Sequence, residues 1–252
     1  MAAGQEPVAA GDIEVRVLSE HEEFRATLAV QVGVWKFSEI DQVPPRILSV
    51  SKYIGGLILG AYDGDRMIGF NFSLPGMKRS GIRYWHSHMT GVLDEYQNRG
   101  IGKVIKQKQR EEAIASGVEL IEWFFDPLQI RNAHFNIEKL GCVMQRFLPN
   151  QYGITSSPLH GGLPTDRLVA EWHVMSTRVA TVIAGGTLGD RSVDMTIAIP
   201  REIDDWRAND PERARAVQDR VRQEFQYCFE KGLAVIGYER NEAGGAYQLG
   251  PL

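Results

Sequence analysis

The chain has 252 residues, 43% of them hydrophobic and 9% aromatic, and a net charge of −4. This length suits one large domain, or one domain with a small addition, and allows most of the unfolded surface to be buried. The acidic balance excludes a general nucleic-acid binder, which needs a basic surface to displace counterions from phosphates.

The two cysteines and the N-terminal residues point to a cytoplasmic protein. Cys142 and Cys228 form neither a disulfide framework nor a zinc-ligand spacing. Residues 1–12 are rich in Ala, Gly and Pro and lack the basic and apolar regions of a secretory signal, so we expect a disordered leader. No apolar run is long enough to span a membrane, and no membrane association is expected.

The first elements follow from two hydrophobic periodicities. Apolar and polar residues mostly alternate over residues 13–17, which indicates a strand. Ser19 and Glu22 have the spacing of a capping box, which predicts the start of a helix. The apolar stripe of that helix is Phe24, Leu28, Val32 and Trp35. Pro44 and Pro45 break the chain and begin a new segment.

The middle of the chain alternates extended and helical segments. The predicted strands are Leu57–Tyr62, Met67–Ser73, Tyr84–Leu93, Val118–Phe125 and Arg167–Met175. The predicted helices are Gly100–Ser116 and Asn132–Leu140. Asp63 and Gly64 suit a hairpin turn between the first two strands. This order predicts an α/β (α+β) fold with a mixed, mostly antiparallel central sheet flanked by helices.

A glycine-rich stretch at residues 183–190 suggests a soft boundary, with a core at 13–176 and an appendage at 177–252. The appendage reads as β-α-β, with strands Val193–Ile199 and Leu233–Tyr238 around a helix that Pro211 begins. The apolar stripe of that helix is Ala214, Val217, Val221, Phe225, Cys228 and Phe229. So small a unit needs support, and we expect it to dock on the core.

The segment from Val92 to Lys103 carries the clearest chemical signal, because it joins a predicted strand to a predicted helix. Gly100 and Gly102 let the backbone approach a ligand closely. The start of the helix offers unpaired N–H groups and a positive dipole end, which suit a phosphate. Positive charge is added by Arg99 and Lys103, and along the helix by Lys106, Lys108 and Arg110. An ordinary glycine turn that caps a helix is the alternative.

This segment resembles a known signature. Residues 97–102, Gln-Asn-Arg-Gly-Ile-Gly, are similar to the Q/R-x-x-G-x-G/A pyrophosphate-binding motif of GNAT acyltransferases. Residues 138–141, Glu-Lys-Leu-Gly, resemble the family's closing helix. The resemblance extends over residues 13–176, and it implies the GNAT fold.

The resemblance also implies a coenzyme A thioester in a splayed gap between two central strands, attacked directly by an amine. The implied cofactor-binding residues are Gly91, Val92, Leu93, Gln97, Asn98, Arg99, Gly100, Ile101, Gly102, Lys103, Asn132, Asn136 and Lys139. The pyrophosphate would lie on the backbone N–H groups of residues 99–103. A strand amide within residues 91–93 would polarise the thioester carbonyl.

A narrower resemblance bears on the substrates. Residues 86–89 (His-Ser-His-Met), 125–128 (Phe-Asp-Pro-Leu) and 163–168 (Leu-Pro-Thr-Asp-Arg-Leu) are similar to a subgroup of larger GNAT proteins. Some of these are amino-acid N-succinyltransferases. The donor is therefore expected to be acetyl-CoA or succinyl-CoA, and the acceptor a small-molecule amine, with an amino acid as one candidate. A homodimer is left open.

Three side chains are candidates for catalysis and one for substrate binding. His88 or Asp126 is the candidate general base. Many GNAT enzymes have a tyrosine where this chain has Ile137, so Tyr152 is a candidate replacement acid. Arg167 is a candidate clamp for a substrate carboxylate. The structural alternatives are a core histidine, an Asx turn and an ion pair between Asp166 and Arg167; no third ligand completes a metal site with His86 and His88.

Two other functions fit the same sequence. A non-catalytic coenzyme A-binding or sensing module would keep the fold, and the absence of the family tyrosine at Ile137 favours it. A partner-binding scaffold would use the C-terminal helix as a dimer surface. Binding of coenzyme A separates the first two functions from the third, and thiol release separates enzyme from sensor.

Overall fold

The computed structural model describes residues 13–153, 162–189 and 191–252. The predicted leader at residues 1–12 lies outside this described part. The chain divides into two compact units, of which the first ends at Glu119 and the second begins at Leu120.

The first unit is a four-stranded sheet with helices. Its elements are β1 (Glu14–Val17), α1 (His21–Trp35), α2 (Pro45–Tyr53), β2 (Leu57–Asp63), β3 (Arg66–Met77), β4 (Arg83–Val92) and α3 (Ile101–Ala115), with 3-10 turns at Glu39–Asp41 and Asp94–Tyr96. The strands run antiparallel in the order β1-β2-β3-β4. Every strand and helix predicted for this half is present.

Two helices cover opposite faces of this sheet. Trp35 of α1 packs edge-to-face on Phe70, with ring centroids 6.0 Å apart. Gly91 pairs with Phe70 across the ladder, and a Cβ on Gly91 would come within 2.5 Å of the Trp35 ring. On the other face, a Cβ at Gly69 would lie 3.3 Å from Ile105 of α3, which is fully buried. The end of β4 is therefore held from both sides.

The start of α1 is one residue later than the capping-box prediction placed it. Glu23, not Glu22, accepts the backbone N–H groups of Ser19 and Glu20, at 2.7 and 2.9 Å. The helix begins at His21. Since the carboxylate must lie three residues inside the helix to reach back, the later start selects Glu23.

The buried face of α1 is also more polar than its predicted stripe. Val32 is 45% exposed, whereas Thr27 and Gln31 are fully buried. Gln31 donates to the Val43 carbonyl at 3.2 Å and accepts the Val43 N–H at 2.8 Å. The Thr27 hydroxyl bonds the carbonyl of Phe24 at 2.8 Å. These bonds remove the cost of burying the two polar groups, which apolar periodicity alone does not anticipate.

The second unit contains two sheets. Its elements are β5 (Leu120–Phe125), α4 (Ile130–His134), a π-helical turn (Phe135–Lys139), β6 (Phe147–Leu148), β7 (Arg167–His173), α5 (Thr177–Ile183), β8 (Met195–Pro200), α6 (Ile203–Asn209), α7 (Pro211–Glu230), β9 (Ala234–Asn241) and β10 (Gly244–Gly250). The strand orders are β5-β7-β6 and β8-β10-β9, with antiparallel pairing. The prediction of an α/β fold with largely antiparallel sheet and flanking helices is confirmed.

The C-terminal segment, residues 177–252, is a three-stranded sheet with three helices, rather than the simple β-α-β predicted. Strand β10 and helices α5 and α6 were not predicted. Three of the seven residues of β10 are glycines, which weaken a strand pattern. Gly245 is needed there, because a Cβ would come 1.9 Å from the Tyr238 hydroxyl. The predicted start of α7 is confirmed, since the Asp210 side chain accepts the Arg213 N–H at 3.2 Å.

The C-terminal elements share a core with the earlier part of the second unit. Phe225 of α7 stacks on Phe147 of β6, with ring centroids 5.7 Å apart. The Tyr247 hydroxyl donates to the Pro127 carbonyl at 2.7 Å. The buried residues of α7 are Ala214, Gln218, Val221, Phe225 and Cys228. The apolar stripe of α7 is thus largely used inside the unit, and a dimer surface on this helix stays a prediction.

Two features are absent from the described residues: a membrane-spanning helix and a metal-binding cluster. None of the helices is long and apolar enough to cross a bilayer. Within the same residues, no group of three or more His, Cys, Asp or Glu side chains could hold a metal ion.

Candidate functional site

The loop between β4 and α3 is closed by hydrogen bonds at both of its ends. The Leu93 N–H donates to the Ile68 carbonyl at 2.9 Å, which extends the sheet by one residue. The side-chain nitrogen of Gln97, Nε2, donates hydrogen bonds to the Val92 carbonyl at 3.3 Å and to Asp94 Oδ1 at 2.8 Å. Gln97 therefore fixes the loop internally, which gives this signature residue a structural role in the chain by itself.

The loop enters the helix through left-handed backbone. Asn98 has φ 63° and Gly100 has φ 80°. The Gly100 carbonyl accepts the N–H groups of Lys103 at 2.9 Å and of Val104 at 3.2 Å. The Lys103 N–H is therefore used inside the helix, so Lys103 would meet an anion through its ammonium. The N–H groups of residues 101 and 102 belong to the first turn, which has no intrahelical acceptors.

Gly102 has no internal reason to be glycine. Its backbone is helical, and a Cβ built on it would meet no described atom within 4 Å. Glycine in a helix is less favourable than alanine by up to about 1 kcal/mol. The space beside Gly102 is open to a ligand, and a side chain there would fill it.

The predicted basic patch does not extend along α3. Lys106 is only 3% exposed and points into the protein, and Lys108 pairs with Glu112 at 2.9 Å. Arg99 and Lys103 are half-buried at the loop, with the Arg99 guanidinium 5.2 Å from the Tyr96 ring centroid. The positive charge is thus concentrated beside the start of the helix, where a phosphate would bind.

His88 occupies a β-bulge in β4. Ser87 pairs with Ser73 and Met89 with Phe72, so His88 is the extra residue between two ladder pairs. Its ring packs edge-to-face on Phe72, with centroids 5.8 Å apart. The ring is exposed, and its nitrogens have no hydrogen-bond partner among the described residues. Desolvation by the surrounding protein lowers the pKa of His88, so its neutral form, which can accept a proton, dominates at pH 7.

His86 lies beside His88, with ring centroids 6.1 Å apart. Burial, followed by the charges of His88, Lys106 and Lys78, lowers the pKa of His86 to about 4. It therefore stays neutral at pH 7. The two imidazoles share one face of β4, as their alternation in the sequence predicts.

Asp126 follows β5 in the second unit, and both of its carboxylate oxygens are bonded. Oδ1 accepts the Leu128 N–H at 2.9 Å, which is an Asx turn. Oδ2 accepts from Arg207 of α6 at 2.5 Å, and Arg207 is only 7% exposed. Arg207 cannot be recognised as the partner of Asp126 from the sequence, because 81 residues separate the two. The catalytic role of Asp126 stays a prediction, and it would require this ion pair to loosen.

Arg167 begins β7 and is 8% exposed. Its Nη1 donates to the Asp166 carbonyl at 2.8 Å. The Asp166 carboxylate is bound instead by Arg222, at 2.8 and 3.0 Å. The hydrogen-bonded partner of the Asp166 carboxylate is thus Arg222, and the Asp166 charge is the last of the influences on the pKa of Arg167. Burial lowers the pKa of Arg167 from its usual value.

Tyr152 lies over Arg167. The guanidinium is 5.3 Å from the centroid of the Tyr152 ring, and the ring is tilted on Phe124 at 6.5 Å. Partial burial raises the pKa of Tyr152 above its ordinary value, against the opposing charge of Arg167. The phenol keeps its proton at pH 7 and could donate it, so its role as general acid stays a prediction.

The three remaining predicted cofactor residues lie around the π-helical turn. Asn132 and Lys139 are exposed, whereas Asn136 is buried. The Leu140 N–H donates to the Phe135 carbonyl, five residues back, at 3.1 Å. Such turns occur often at functional sites. Ile137 within it is fully buried and fills the core, so this position offers no general acid.

Comparison with known proteins gives structural neighbours only. No protein-family model and no curated protein matches the sequence. The ribosomal-protein-S18-alanine N-acetyltransferase from Escherichia coli is 13% identical, with a TM-score of 0.51 over 71% of this chain and 98% of that chain. A GNAT-family acetyltransferase from Streptococcus pneumoniae is 15% identical, with a TM-score of 0.50 over 63% of this chain and 98% of the other.

A third neighbour was solved with a ligand. Arabidopsis thaliana Naa50, in complex with a bisubstrate analogue that contains CoA, is 15% identical, with a TM-score of 0.50 over 64% of this chain and 97% of that one. At such low identities the neighbours establish the fold alone. The chain has the GNAT fold, as its sequence predicts.

Proposed function

We propose that this protein is an acyl-CoA-dependent N-acyltransferase that acylates a primary amine of a small molecule. The observation that carries the proposal is the loop from Gln97 to Lys103. It ends in a helix whose second residue is a glycine that the protein's own packing does not require. In a GNAT fold this is the place for the coenzyme A pyrophosphate.

In this proposal the N–H groups of Ile101 and Gly102 bind the pyrophosphate oxygens, and Arg99 and Lys103 neutralise their charge. Backbone amides of residues 91–93 bind the pantetheine arm. Gly91 lies against Trp35, so this part of β4 cannot shift toward α1. The remaining predicted cofactor contacts, from Asn132, Asn136 and Lys139, belong to the same proposal.

The proposed reaction is a direct transfer. The amine nitrogen attacks the thioester carbonyl carbon, the C–S bond breaks, and coenzyme A leaves as a thiolate. His88 takes the proton from the amine, since its imidazole is neutral and its ring nitrogens are unbonded among the described residues. A thiol pKa of about 8.5 lets the thiolate leave with little help. Tyr152 is the candidate acid if help is needed.

The identity of the acyl group and of the acceptor is part of the proposal. Arg167 is buried beside an aromatic ring and is suited to a carboxylate of an amino acid or of a succinyl group. An amine acceptor is also what the Escherichia coli neighbour uses, since that protein is a ribosomal-protein-S18-alanine N-acetyltransferase. A non-catalytic coenzyme A sensor is the second candidate, and the buried Ile137 favours it.

Thermal unfolding with and without cofactor tests the proposal. Coenzyme A at 100 times its dissociation constant should add about 2.7 kcal/mol of stability. Gly102→Val should abolish this shift by filling the open space. Gly189→Val is the matched control, because a Cβ at Gly189 also meets nothing within 4 Å and its φ is not positive. An unchanged melting temperature of the wild type at millimolar coenzyme A would reject the assignment.

Turnover separates the enzyme from the sensor. Release of free thiol from acetyl-CoA and succinyl-CoA is measured against a mixture of D- and L-amino acids and simple amines. An enzyme releases thiol only when an acceptor is present. Cofactor stabilisation without thiol release from any pair would favour the sensor.

A further inference from the structure

Five buried polar side chains form a closed ring of hydrogen bonds beneath the bulge in β4. We call it the bulge ring; its members are Asn71, Ser73, Ser87, Lys106 and Gln109. Each is at most 4% exposed. They come from three neighbouring elements, β3, β4 and α3, within the first unit.

The hydrogen bonds of the bulge ring run through every member. Lys106 Nζ donates to Ser87 Oγ and to Gln109 Oε1, both at 3.0 Å. Gln109 Nε2 donates to Ser73 Oγ at 2.8 Å, and Ser73 Oγ donates to Asn71 Oδ1 at 3.0 Å. Asn71 Nδ2 closes the ring with a bond to Ser87 Oγ at 2.9 Å.

Lys106 determines the direction of these bonds. An ammonium can only donate, whereas hydroxyl and amide groups can do both. Because Lys106 donates to the oxygen of Gln109, the amide nitrogen of Gln109 must face Ser73. Ser73 accepts from Gln109 and therefore donates to the side-chain oxygen of Asn71. The side-chain nitrogen of Asn71 must then face Ser87 on β4. The cation thus gives the bulge ring one arrangement rather than two.

The bulge ring holds the chain on both sides of His88. Asn71 Nδ2 bonds Ser87 before it, and Met89 O and Thr90 Oγ1 after it, at 3.2 and 2.8 Å. His88 itself has no partner residue in the β3–β4 pairing, because the register shifts there. The side chain of Asn71 therefore replaces the regular ladder as the constraint on this residue.

Stability alone does not explain a buried ammonium at this position. Taking a charge out of water costs several kcal/mol, and well-packed apolar groups often stabilise a core as well or better. Ile101, Ile105 and Ala113 already line the same buried face of α3. A polar ring with one fixed arrangement is suited to holding the backbone of the β4 bulge, and with it His88, in one position.

We propose that the bulge ring positions the His88 imidazole for the acyl-transfer step, and that Lys106 and Gln109 are positioning residues. This inference rests on the proposed function for the role of His88. It does not need Lys106 or Gln109 to touch a substrate. It predicts that a residue on the helix controls a histidine on the strand through Ser87 and Asn71.

The experiment compares Lys106→Met and Ser87→Ala with Lys108→Met. Lys108 lies on the same helix but pairs with Glu112 and is not in the bulge ring. We expect the first two variants to lose about 10-fold or more in kcat, since small misplacements can cost up to about 100-fold. The KM for the acyl donor and the thermal shift with coenzyme A should stay within about 2-fold, and Lys108→Met should match the wild type.

Nuclear magnetic resonance supplies a readout that needs no turnover. Lys106→Met should shift the His88 ring and backbone resonances. It should also raise the pKa of His86, because Lys106 is one of the cations that lower it, after burial and His88. Ser87→Ala is a small change and serves if Lys106→Met fails to fold.

The outcomes are distinguishable. Lower melting temperatures with unchanged kcat and unchanged His88 resonances would overturn the proposal and leave the bulge ring as a packing device. If the wild type neither binds coenzyme A nor releases thiol, the proposed function fails. The positioning inference is then supported if the His88 resonances move in Lys106→Met and not in Lys108→Met, and overturned if they do not move.

Discussion

His88 and Asp126 differ in whether their proton-accepting atoms already take part in hydrogen bonds. The nitrogens of His88 are unbonded among the described residues, on an exposed ring. Both oxygens of Asp126 accept hydrogen bonds, one of them from the buried Arg207. A general base must have an atom within reach of the substrate proton. His88 meets this condition without rearrangement, which makes it the better candidate.

Replacement of His88 by alanine should lower turnover about 10²- to 10⁴-fold, the usual contribution of a general base. Asp126→Asn should chiefly lower stability, because it removes the charge that faces Arg207. Thiol-release kinetics and urea unfolding on both variants check this. A larger loss of turnover in Asp126→Asn than in His88→Ala would reverse the assignment.

The pH dependence of kcat/KM should follow the lowered pKa of His88. A base works when it is deprotonated, and the ordinary histidine pKa is about 6.5. Desolvation by the protein around it lowers the pKa of His88, so activity should persist as pH falls through 6.5 and decline only at lower pH. In His88→Ala this acidic limb should disappear. An acidic limb with a midpoint above 6.5 would contradict the role.

Arg167→Lys should raise the KM for a substrate with a carboxylate near the reacting end, and leave an uncharged analogue nearly unaffected. A guanidinium offers two parallel donors, which lysine cannot reproduce. The measurement compares succinyl-CoA with acetyl-CoA, and an amino acid with its amide. Equal effects on charged and uncharged partners would leave Arg167 as a structural residue that bonds Asp166 O and packs on Tyr152.

Single residues were the hardest part of the site to predict from sequence. Glycine spacing, charge and the resemblance to the GNAT signature singled out the loop at residues 97–103, and its role in binding stays a prediction. The burial of Lys106 was missed, because a helical lysine is usually solvated and one of its acceptors, Ser87, lies on a strand distant in sequence. Arg207 was missed for the same reason: its partner is fixed by the fold, not by spacing.

At the scale of elements, α3 combines two opposing demands at its first turn. Gly100 has φ 80°, where an L side chain is strained, whereas Gly102 is helical with open space beside it. Gly100 is thus required by the backbone. Gly102 weakens the helix, and the compensating benefit would be room for a ligand.

Gly102→Ala should therefore stabilise the cofactor-free protein by about 0.4–1 kcal/mol, because it restricts the unfolded chain at a compatible position. Coenzyme A binding should change little, because the motif that this loop resembles allows alanine at this position and a Cβ there meets nothing within 4 Å. Gly100→Ala should destabilise the protein by about 1–2 kcal/mol through its left-handed backbone. Urea unfolding with and without coenzyme A measures both. Tighter binding by Gly102→Ala would argue against a pyrophosphate at this turn.

The regular elements were predictable because their periodicity is strong and local. Strands β2, β3 and β4 and helix α3 follow apolar patterns that burial on the sheet enforces. The π-helical turn at Phe135–Lys139 and strand β10 were not predicted. The π-helical turn depends on hydrogen bonds from an N–H to the carbonyl five residues earlier. Strand β10 depends on Tyr238 packing against Gly245.

At the scale of the molecule, the C-terminal segment raises the question of where the folding unit ends. The predicted core ends at residue 176. Within the second unit, however, three contacts join later residues to earlier ones: Arg207 with Asp126, Arg222 with Asp166, and Tyr247 with Pro127. Phe225 also stacks on Phe147. Removal of the later residues would leave buried carboxylates unpaired and apolar rings exposed.

We therefore expect a chain truncated after Ser176 to lose cooperative unfolding and its response to coenzyme A. Near-ultraviolet circular dichroism and thermal melts of the truncated and full chains measure this. The truncated chain loses both arginine–carboxylate pairs and the packing of Phe225 on Phe147, and a typical domain has only about 5–15 kcal/mol of stability in all. Tyr247→Phe in the full chain is the matched control: it removes one hydrogen bond, costs about 1 kcal/mol and should leave cooperativity intact. A truncated chain that melts sharply and is stabilised by coenzyme A would show instead that residues 13–176 fold alone and that the appendage is dispensable for the fold.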